Sequence, residues 1–401
     1  MKIYLESYGC TLNKSETGLY ANKLLSEGAV ITQNPDDADL RLIGTCVVIQ
    51  HTEDRMLRRI AELSTKGKVE VMGCLSSVSA GSIESENIKL IGKSDFRSFY
   101  KGLLDDIEIR DASIFDGIPI NQGCTGSCNF CISRVARGSL ISRPIAKIKG
   151  QAMIQLNHGI REIRLSSLDS AAYGKDQGIT LDRLIESVSS IHGDFRIRVG
   201  MMEPSNTAQI LRGLLRAYSS DKVYKFLHLP VQSGDDRILD SMNRGYHAET
   251  FESIVKEYRS SFQDSTLSTD IITGYYGEND ESFENTVKLI EKTQPEIVNI
   301  TRFSPRPFTP DYNKRTPPTN DVKRWTSYIS NMHHEIAGKR MQMQVGKFRK
   351  IFITEHGKNE TSVGRDEAYR PVVIPGKHEL YSFLDCEIVD STDTYAIARA
   401  A

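Results

Sequence analysis

A repeated alternation of strand and helix patterns constrains this chain more than any other feature of its sequence. Short apolar runs at Lys2–Ser7, Leu40–Ile43, Val69–Met72 and Ile88–Ile91 indicate strands, and helical apolar spacing separates most of them. This alternation favours a parallel sheet with helices on both faces. We therefore predict a doubly wound parallel α/β domain in residues 1–112.

A second series of six strand–helix units follows. Its predicted strands are Ile118–Asn121, Glu162–Ser167, Phe195–Val199, Lys225–Leu229, Thr266–Ile272 and Ile297–Arg302. Six such units suit either an open doubly wound sheet or a partial (β/α) barrel, and periodicity alone leaves both open. A helix predicted from Asp321 to about Met341 ends this second domain, residues 113–341.

The last segment, residues 342–401, changes to short strands separated by turns, which predicts a small antiparallel β-barrel. The net charge of the whole chain is −1, from 51 Lys and Arg against 52 Asp and Glu, and this argues against a generally basic nucleic-acid binder. From Arg302 to Arg370, however, 14 basic residues stand against 7 acidic ones. Such a local excess indicates either a polyanion-binding module or a solvated face.

The overall composition is that of an ordinary globular protein. Charged residues make up 26% of the chain and hydrophobic residues 39%, which excludes wholesale disorder and fibrous folds. No run reaches the ~18 apolar residues that a membrane helix needs. The N-terminal segment MKIYLESYGC lacks the apolar core of a secretory signal. We expect a cytoplasmic protein with no membrane partner.

Six of the seven cysteines form two groups of three, and the seventh, Cys386, is predicted to be a core residue. An odd number in a cytosolic chain argues against a disulfide framework. In the first group, each cysteine follows a predicted strand and has a glycine just ahead of it: Cys10, Cys46 and Cys74. Ligands gather at the carboxyl ends of parallel strands, so these thiols are predicted to converge. Three unrelated buried thiols are the alternative.

The second group has the spacing C-x3-C-x2-C and directly follows the first strand of the six-unit series. Its members are Cys124, Cys128 and Cys131. Three thiolates can hold three irons of a 4Fe–4S cube and leave the fourth iron open, so that a substrate or cofactor can bind there. A structural zinc site is the alternative, but zinc generally requires a fourth cysteine or histidine, and none lies nearby in sequence.

This motif at the start of a six-fold strand–helix series closely resembles the radical S-adenosylmethionine (SAM) superfamily. The resemblance implies a partial (β/α)6 barrel and a cluster whose open iron binds SAM. It also implies that reductive cleavage of SAM yields a 5′-deoxyadenosyl radical, which makes Cys124, Cys128 and Cys131 catalytic. Phe130 matches the aromatic residue beside the adenine in that superfamily, and ordinary core packing is compatible with this role.

The segments SYGCTLN, GTC and VMGC ahead of this motif, with a small β module at the end, resemble the radical SAM methylthiotransferases over essentially the whole chain. The resemblance implies a second 4Fe–4S cluster on Cys10, Cys46 and Cys74, and a C-terminal TRAM domain that binds RNA. One SAM would methylate sulfur held at the N-terminal cluster, and a second SAM would supply the radical. Gly44 stands where the family usually has Asn.

Three substrate classes compete within that family: N6-isopentenyladenosine in tRNA, N6-threonylcarbamoyladenosine in tRNA, and an aspartate of a ribosomal protein. The segment LSSLDSAAYG, from Leu165 to Gly174, is similar to the LTSEDTGAYG-type segment of the archaeal and eukaryotic threonylcarbamoyladenosine group. FSPRPFTP resembles that group's FYPRPGTP, with Phe308 replacing Gly. We expect methylthiolation at carbon 2 of N6-threonylcarbamoyladenosine, 3′ of the anticodon. A non-catalytic iron–sulfur RNA-binding or redox protein is the alternative from another class.

The resemblance also suggests further site residues, several of which lie at predicted strand ends, where barrel enzymes place their chemistry. Expected cofactor-binding residues are Phe130, Ser167, Asp169, Gln232, Ser233 and Asp270, with turn formation and capping as alternative roles. Expected RNA-binding residues are Lys347, Arg349, Lys350, Arg365 and Arg370. Strand alternation places Lys347 and Arg349 on one face and Lys350 on the other. The expected partner is the anticodon stem–loop of tRNA, and the sequence specifies neither the electron donor nor the sulfur source.

Overall fold

A computed structural model describes residues 1–78, 83, 85–102, 110–111, 114 and 116–401. The chain divides into two compact units. Unit 1 comprises Met1–Thr180 and Ser304–Asn313, and unit 2 comprises Leu181–Phe303 and Lys314–Ala401. The predicted domain boundary between residues 112 and 113 lies outside the described residues. Within the described ranges, no helix is both long and apolar enough to cross a membrane.

Unit 1 is built mainly from parallel strands that alternate with helices. Its described strands are β1 (Lys2–Ser7), β2 (Val30–Thr32), β3 (Leu40–Thr45), β4 (Val69–Gly73), β5 (Ile88–Leu90), β6 (Ile118–Pro119), β7 (Asn121–Gln122), β8 (Ile141–Ser142) and β9 (Glu162–Ser166). Its described helices are α1 (Thr11–Ser26), α2 (Gln50–Ser64), α3 (Leu75–Val78), α4 (Lys93–Gly102), α5 (Ile132–Arg137) and α6 (Ile145–Asn157).

The N-terminal sheet has the strand order β2-β1-β3-β4-β5, and all of its pairings are parallel. Its central strand β3 is buried along its whole length, as expected for a strand covered on both faces. One core cluster includes Leu19 and Leu24 of α1, and a second includes Met56, Ile60 and Leu63 of α2. Apolar clusters therefore cover both faces, and the predicted doubly wound arrangement is confirmed.

The strand predicted from Ile118 to Asn121 is divided into two short strands with different partners. Strand β6 pairs in parallel with β9, whereas β7 pairs in antiparallel fashion with β8. The sequence pattern missed β8 because a two-residue strand carries no period. It also missed β2 and α5, which are too short for helical or strand periodicity to be distinctive.

Unit 2 contains four further strands of the six-unit series and the C-terminal module. Its strands are β10 (Arg196–Val199), β11 (Phe226–His228), β12 (Thr266–Thr273), β13 (Ile297–Arg302), β14 (Phe348–His356), β15 (Thr361–Arg365), β16 (Pro371–Pro375), β17 (Phe383–Ser391) and β18 (Ala396–Ala400). Its helices are α7 (Leu181–Ser189), α8 (Pro204–Tyr218), α9 (Asp236–Ser241), α10 (Ala248–Ser261), α11 (Asp280–Thr293) and α12 (Thr319–Gln342). Strands β11, β12 and β13 form a parallel sheet.

The C-terminal module is a closed five-stranded barrel in the order β14-β15-β16-β18-β17. Most of its pairings are antiparallel, as predicted, but β16 and β18 run in parallel. Alternate residues such as Ile351, Ile353 and Ile374 fill its core. Cys386 is fully buried among them, which confirms its prediction as a core residue.

Ion pairs and aromatic contacts attach this barrel to the parallel strands of unit 2. Asp264, just ahead of β12, accepts hydrogen bonds from both Arg349 and Arg370. Arg370 is only 6% exposed and also donates to Asp366 at 2.7 Å. The Tyr369 ring lies 4.8 Å from that of Tyr224. The barrel therefore packs on the core through the ion pairs of Asp264 and through aromatic rings.

Glu278 is a buried acid in the loop after β12. Burial raises its pKa to about 7, although backbone N–H groups of Gly274 and Tyr275 act in the opposite direction. The folded state therefore holds a proton on Glu278 at pH values at which the unfolded chain has released it. The stability contributed by this proton is full below the ordinary Glu pKa and is lost as the pH rises through about 7.

In the Glu278→Gln variant, the free energy of unfolding is therefore expected to fall less between about pH 5 and about pH 8, because the amide stays neutral throughout. Urea unfolding of both proteins across this range measures the effect. Glu284→Gln, which changes an exposed acid on α11, should leave the pH dependence as in the unsubstituted chain. Parallel pH curves for the chain and its Glu278→Gln variant would contradict the assignment.

Candidate functional site

The structure brings Cys10, Cys46 and Cys74 together at the carboxyl ends of β1, β3 and β4. Gly9, at φ +93°, touches Cys46 so closely that an added Cβ would lie 2.9 Å from the Cys46 Cβ. The backbone N–H of Cys74 donates to Thr45 O at 3.1 Å. Cys10 is exposed, yet neighbouring atoms desolvate its thiol, and this effect together with Cys74 raises its pKa to about 11. The glycines ahead of the cysteines thus permit the close approach of these loops.

A buried arginine on the helix that follows the second cysteine motif reaches this first triad. Arg137, the last residue of α5, is 3% exposed, and its Nε donates to Cys74 Sγ at 3.4 Å. Its Nη1 pairs with Glu16, which is fully buried on α1. Burial alone lowers the pKa of Arg137, but Glu16 and nearby thiols outweigh it and keep the guanidinium charged. A charged donor of this kind forms a stronger hydrogen bond than a neutral one.

Asn13 completes this network and ties the strand-end loops together. Its Oδ1 accepts from Arg137 Nη2 at 2.6 Å, and its Nδ2 donates to Tyr8 O and to Thr45 O at 2.7 Å each. Gly44 lies against α1, where an added Cβ would meet Thr17 Oγ1 at 2.2 Å. The family's Asn would therefore not fit at position 44 in this packing, and Thr17 fills the space instead.

The second triad lies on the loop between β7 and α5. The backbone N–H of Gly126 donates to Cys124 Sγ at 3.2 Å, and the N–H of Cys131 donates to Cys128 O at 3.2 Å. An added Cβ on Gly126 would lie 3.4 Å from Cys124 Sγ and 3.7 Å from Cys128 Sγ, so both sulfurs flank this glycine. Desolvation, followed by Asp169 and the other two thiols, raises the pKa of Cys124 to about 12.

The donor sets of both triads fit an iron–sulfur cube. In the described part of the chain, no three Cys, His, Asp or Glu side chains are placed to share one metal ion. A cube makes a different demand, because each thiolate binds its own iron. Each triad supplies three thiols from one small region, and Arg137 adds a positive charge beside Cys74.

Two predicted cofactor contacts lie near the second triad and are held by local hydrogen bonds. Ser167 Oγ donates to Asn121 Oδ1 and accepts from the Asp169 N–H, the latter at 2.9 Å. Asp169 is 2% exposed and caps the turn after β9 by accepting from Ala171 N–H. Phe130 is half-buried between Cys128 and Cys131 in the motif. These residues share unit 1 with both triads.

The remaining predicted cofactor contacts lie in unit 2, at the ends of β11 and β12. Gln232 adopts φ +75°, and its backbone forms hydrogen bonds with Asp270 O and Ile272 N. Ser233 Oγ accepts from the Asp235 N–H at 3.2 Å. Asp270 Oδ1 receives hydrogen bonds from His228 and Asn299 at 2.9 and 2.8 Å. The Ser233 side chain thus stabilises a turn, and the Asp270 side chain links β12 to residues of β11 and β13.

The predicted RNA-binding cations divide into two groups. Lys347 and Arg349 both donate to Gln344 Oε1, while Lys350 lies over the Phe383 ring. Arg349 and Arg370 form ion pairs with Asp264 inside unit 2, and Arg370 is nearly inaccessible. They bind the protein itself, which leaves Lys347, Lys350 and Arg365 available to a ligand.

Two aromatic rings of the barrel are each contacted by a pair of cations. Phe383 lies under Arg196 at 4.4 Å and Lys350 at 5.0 Å from the ring centroid. Tyr369 lies under Arg198 at 5.2 Å and Arg365 at 5.1 Å.

Among the described residues, none of these four cations forms an ion pair with a carboxylate. Asp194, Asp221 and Glu367 influence Arg196 only from a distance. The Nε of Arg198 is shielded from solvent and has no hydrogen-bond partner in the described chain. This cation–aromatic surface, formed by Arg196, Arg198, Lys350, Arg365, Tyr369 and Phe383, therefore has an unbalanced positive charge.

Sequence reasoning missed Arg137, Glu16, Arg196 and Arg198. The segment Arg196–Val199 reads RIRV, and cations that alternate with buried apolar residues in a strand indicate that one face of the strand is polar. Glu16 carried no comparable signal, because a fully buried acid looks in sequence like any other helix residue.

Comparison with known protein families agrees with this organisation. Residues 118–290 match the Radical SAM superfamily, residues 2–91 match the Uncharacterized protein family UPF0004, and residues 342–401 match the TRAM domain. The three matches follow one another along the chain and cover most of it.

Several curated proteins resemble this chain along its whole length. A protein of Pyrococcus abyssi is 36% identical over 422 residues, which cover 100% of this chain and 99% of the relative. A protein of Archaeoglobus fulgidus is 34% identical over 423 residues, with 100% and 99% covered. Both carry the name "Probable threonylcarbamoyladenosine tRNA methylthiotransferase". The human threonylcarbamoyladenosine tRNA methylthiotransferase is 30% identical over 93% of this chain and 69% of its own.

Solved structures share the fold at low sequence identity. The radical S-adenosylmethionine methyltransferase TsrM from Kitasatospora setae has a TM-score of 0.59 at 12% identity, covering 78% of this chain and 77% of its own. The radical SAM fold, the closed C-terminal barrel and the full-length relatives agree. This chain belongs to the family of the threonylcarbamoyladenosine tRNA methylthiotransferases, within the radical SAM superfamily.

Proposed function

We propose that this protein transfers a methylthio group to carbon 2 of N6-threonylcarbamoyladenosine in tRNA. One observation carries the proposal furthest: Arg137, on the helix that follows the second cysteine motif, contacts Cys74 of the first. Two thiol triads therefore belong to one packed structure, as a reaction that joins radical chemistry to sulfur transfer requires.

Cys124, Cys128 and Cys131 are proposed to hold a 4Fe–4S cluster. When bound, such a cluster would supply the electron for reductive cleavage of SAM, which is the radical chemistry needed to remove the hydrogen at carbon 2. Gly126 N–H holds the Cys124 sulfur, and Arg134 fixes the loop by donating to Gly126 O at 2.9 Å. Phe130, Ser167, Asp169, Gln232, Ser233 and Asp270 are proposed to contact the cofactor or to position residues that do.

Cys10, Cys46 and Cys74 are proposed to hold the second cluster and to present the sulfur that a second SAM methylates. The exposure of Cys10 leaves one side of this triad open to a substrate. Arg137 compensates negative charge at Cys74, and Asn13 keeps the loops after β1 and β3 in register.

The substrate is proposed from family membership and from two segments. The named relatives act, by their names, on threonylcarbamoyladenosine in tRNA. Leu165–Gly174 and Phe303–Pro310 are similar to segments of that group. A tRNA substrate supports the proposal of a cytoplasmic location. A non-catalytic iron–sulfur protein is less favoured, because an electron carrier holds each cube with four ligands.

RNA binding is proposed to involve the cation–aromatic surface, Lys347 and the anticodon stem–loop. Guanidinium and ammonium groups position an RNA through its phosphates, while aromatic and guanidinium planes stack on unpaired bases. Because Arg196 and Arg198 belong to β10, the proposed surface extends beyond the C-terminal barrel.

Changing Cys124, Cys128 and Cys131 together to Ala is expected to remove half of the iron and all SAM cleavage. The physical reason is that the two triads are separate ligand sets, each sufficient for one cube of four irons. Changing Cys10, Cys46 and Cys74 should also halve the iron, but leave SAM cleavage intact and abolish methylthiolation. Iron analysis, 5′-deoxyadenosine release under dithionite and mass spectrometry of tRNA nucleosides measure these three outcomes.

Cys386→Ala serves as the matched control, because this thiol lies in the barrel core and should not affect iron content. An unsubstituted chain that yields no 5′-deoxyadenosine after anaerobic reconstitution would refute the enzyme proposal. Loss of all iron from a folded triple variant would refute the assignment of two separate sites.

Arg137→Gln is expected to destabilise the folded chain by about 3–5 kcal/mol, because it leaves Glu16 buried without a partner charge. The double variant Arg137→Gln, Glu16→Gln should cost less than the sum of the two single variants. Urea unfolding measures these differences, with exposed Arg58→Gln on α2 as the control. Strict additivity would show that the two side chains do not interact.

Arg196→Gln with Arg198→Gln is expected to weaken tRNA binding and to flatten its dependence on salt by up to about one unit per lost phosphate contact. Lys350→Gln with Arg365→Gln should act in the same direction. Affinity is measured by titration of a labelled tRNA transcript at several salt concentrations. Arg216→Gln, which removes an exposed cation of α8, controls for net charge, and an unchanged slope in both double variants would exclude this surface.

A further inference from the structure

The loop formed by residues 304–313 belongs to unit 1 and is fixed to it at both ends. Near one end, Arg306 is 3% exposed, pairs with Glu53, and donates to Gln50 Oε1 at 2.6 Å. Gln50 and Glu53 form the first turn of α2, which begins four residues after Cys46. At the other end, the N–H of Asp311 donates to Asn129 O at 3.3 Å. Asn129 lies inside the motif, directly after Cys128.

This loop therefore runs from the surroundings of the first triad to the loop of the second triad. Thr309 Oγ1 donates to Arg306 O at 2.7 Å and holds the intervening turn. Any base that receives sulfur from one triad and loses hydrogen through the other must lie within reach of both. Along the chain, the middle of this loop lies between the anchor on α2 and the anchor at Asn129.

Phe308 occupies the middle of the loop, in a conformation that its own side chain disfavours. Its φ is +67°, in the left-handed region that glycine adopts readily and that is unfavourable for a bulky residue. Its ring is 70% exposed, so it gains little from packing against the protein. FYPRPGTP, the segment that Phe303–Pro310 resembles, has glycine there. An exposed ring retained at a strained backbone position points to a function for the ring.

Further exposed side chains surround the same anchors. Val48 and Ile49 lie between Cys46 and α2 and are 48% and 40% exposed, and Tyr312 is 48% exposed on the loop itself. Apolar and aromatic side chains that are exposed beside the proposed reaction centre suit a ligand with a flat apolar face and polar edges. An unstacked nucleobase has this character, and aromatic side chains are its usual stacking partners.

We propose that Phe308 is a nucleobase-stacking residue that holds an unstacked base of the RNA substrate between the two cysteine triads. The inference rests on the proposed function, because it takes tRNA as the ligand. It adds a site that phosphate contacts cannot supply, since stacking orients the plane of the base. Phe308 is a positioning residue, and the cysteine triads carry the chemistry.

The test uses the full chain and an anticodon stem–loop in which 2-aminopurine replaces the adenosine 3′ of the anticodon. Stacking on an aromatic ring quenches this fluorophore. We expect quenching with the unsubstituted chain and with Phe308→Trp, and much weaker quenching with Phe308→Leu and Phe308→Gly. The affinity of these last two for a tRNA transcript should fall about tenfold. Phe308→Gly should nevertheless match or exceed the unsubstituted chain in thermal stability, because glycine relieves the strained φ.

Tyr328→Leu is the matched control, because it removes an exposed aromatic ring on α12. It should change neither quenching nor affinity. Equal quenching and affinity in Phe308→Leu and the unsubstituted chain would overturn the stacking role while leaving the proposed function in place. If the unsubstituted chain binds no tRNA transcript at all, the proposed function itself fails, and the two failures are thereby distinguished.

Discussion

The buried pair of Arg137 and Glu16 is the interaction on which the arrangement of unit 1 depends. Each charge is almost completely removed from water, and such burial is tolerated only when the partner and further hydrogen bonds compensate it. Asn13 and Cys74 supply those hydrogen bonds. Because α5 follows the second triad directly, a displacement of Arg137 would disturb both triads together. The network thereby couples cysteines that are far apart in sequence.

The topology of the N-terminal sheet explains why three distant cysteines can meet at all. Parallel strands end at one edge, and β1, β3 and β4 are neighbours in that sheet. Convergence still requires that the loops approach within van der Waals distance, which Gly9 and Gly73 allow at positive φ. An added Cβ on Gly73 would lie 2.4 Å from Thr45 O. The absence of a side chain ahead of each cysteine is therefore as necessary as the thiol itself.

Sequence reasoning located most strands and helices to within a few residues, because their apolar periods were long enough to be distinctive. It also predicted, from spacing and from strand order, that six of the cysteines form two groups of three. It failed for elements without a period, such as β8 and α5, and for contacts made across long sequence separations. Glu16 and Arg137 are 121 positions apart, and nothing in either local segment reveals the partner. Tertiary packing determines which distant charges form pairs, and the local sequence pattern does not reveal that packing.

The charge asymmetry along the chain illustrates the same limit. The basic excess between Arg302 and Arg370 indicated either a polyanion-binding module or a solvated face, but several of its arginines are neutralised by acids outside that stretch. Arg306 pairs with Glu53, Arg340 with Glu296, and Arg349 and Arg370 share Asp264. The unbalanced cations include Arg196 and Arg198, from a strand that lies well outside the basic stretch. A local excess of basic residues in a sequence can thus include arginines that form ion pairs with acidic residues elsewhere in the fold. A surface that can attract a polyanion consists of cations that form no ion pair within the protein.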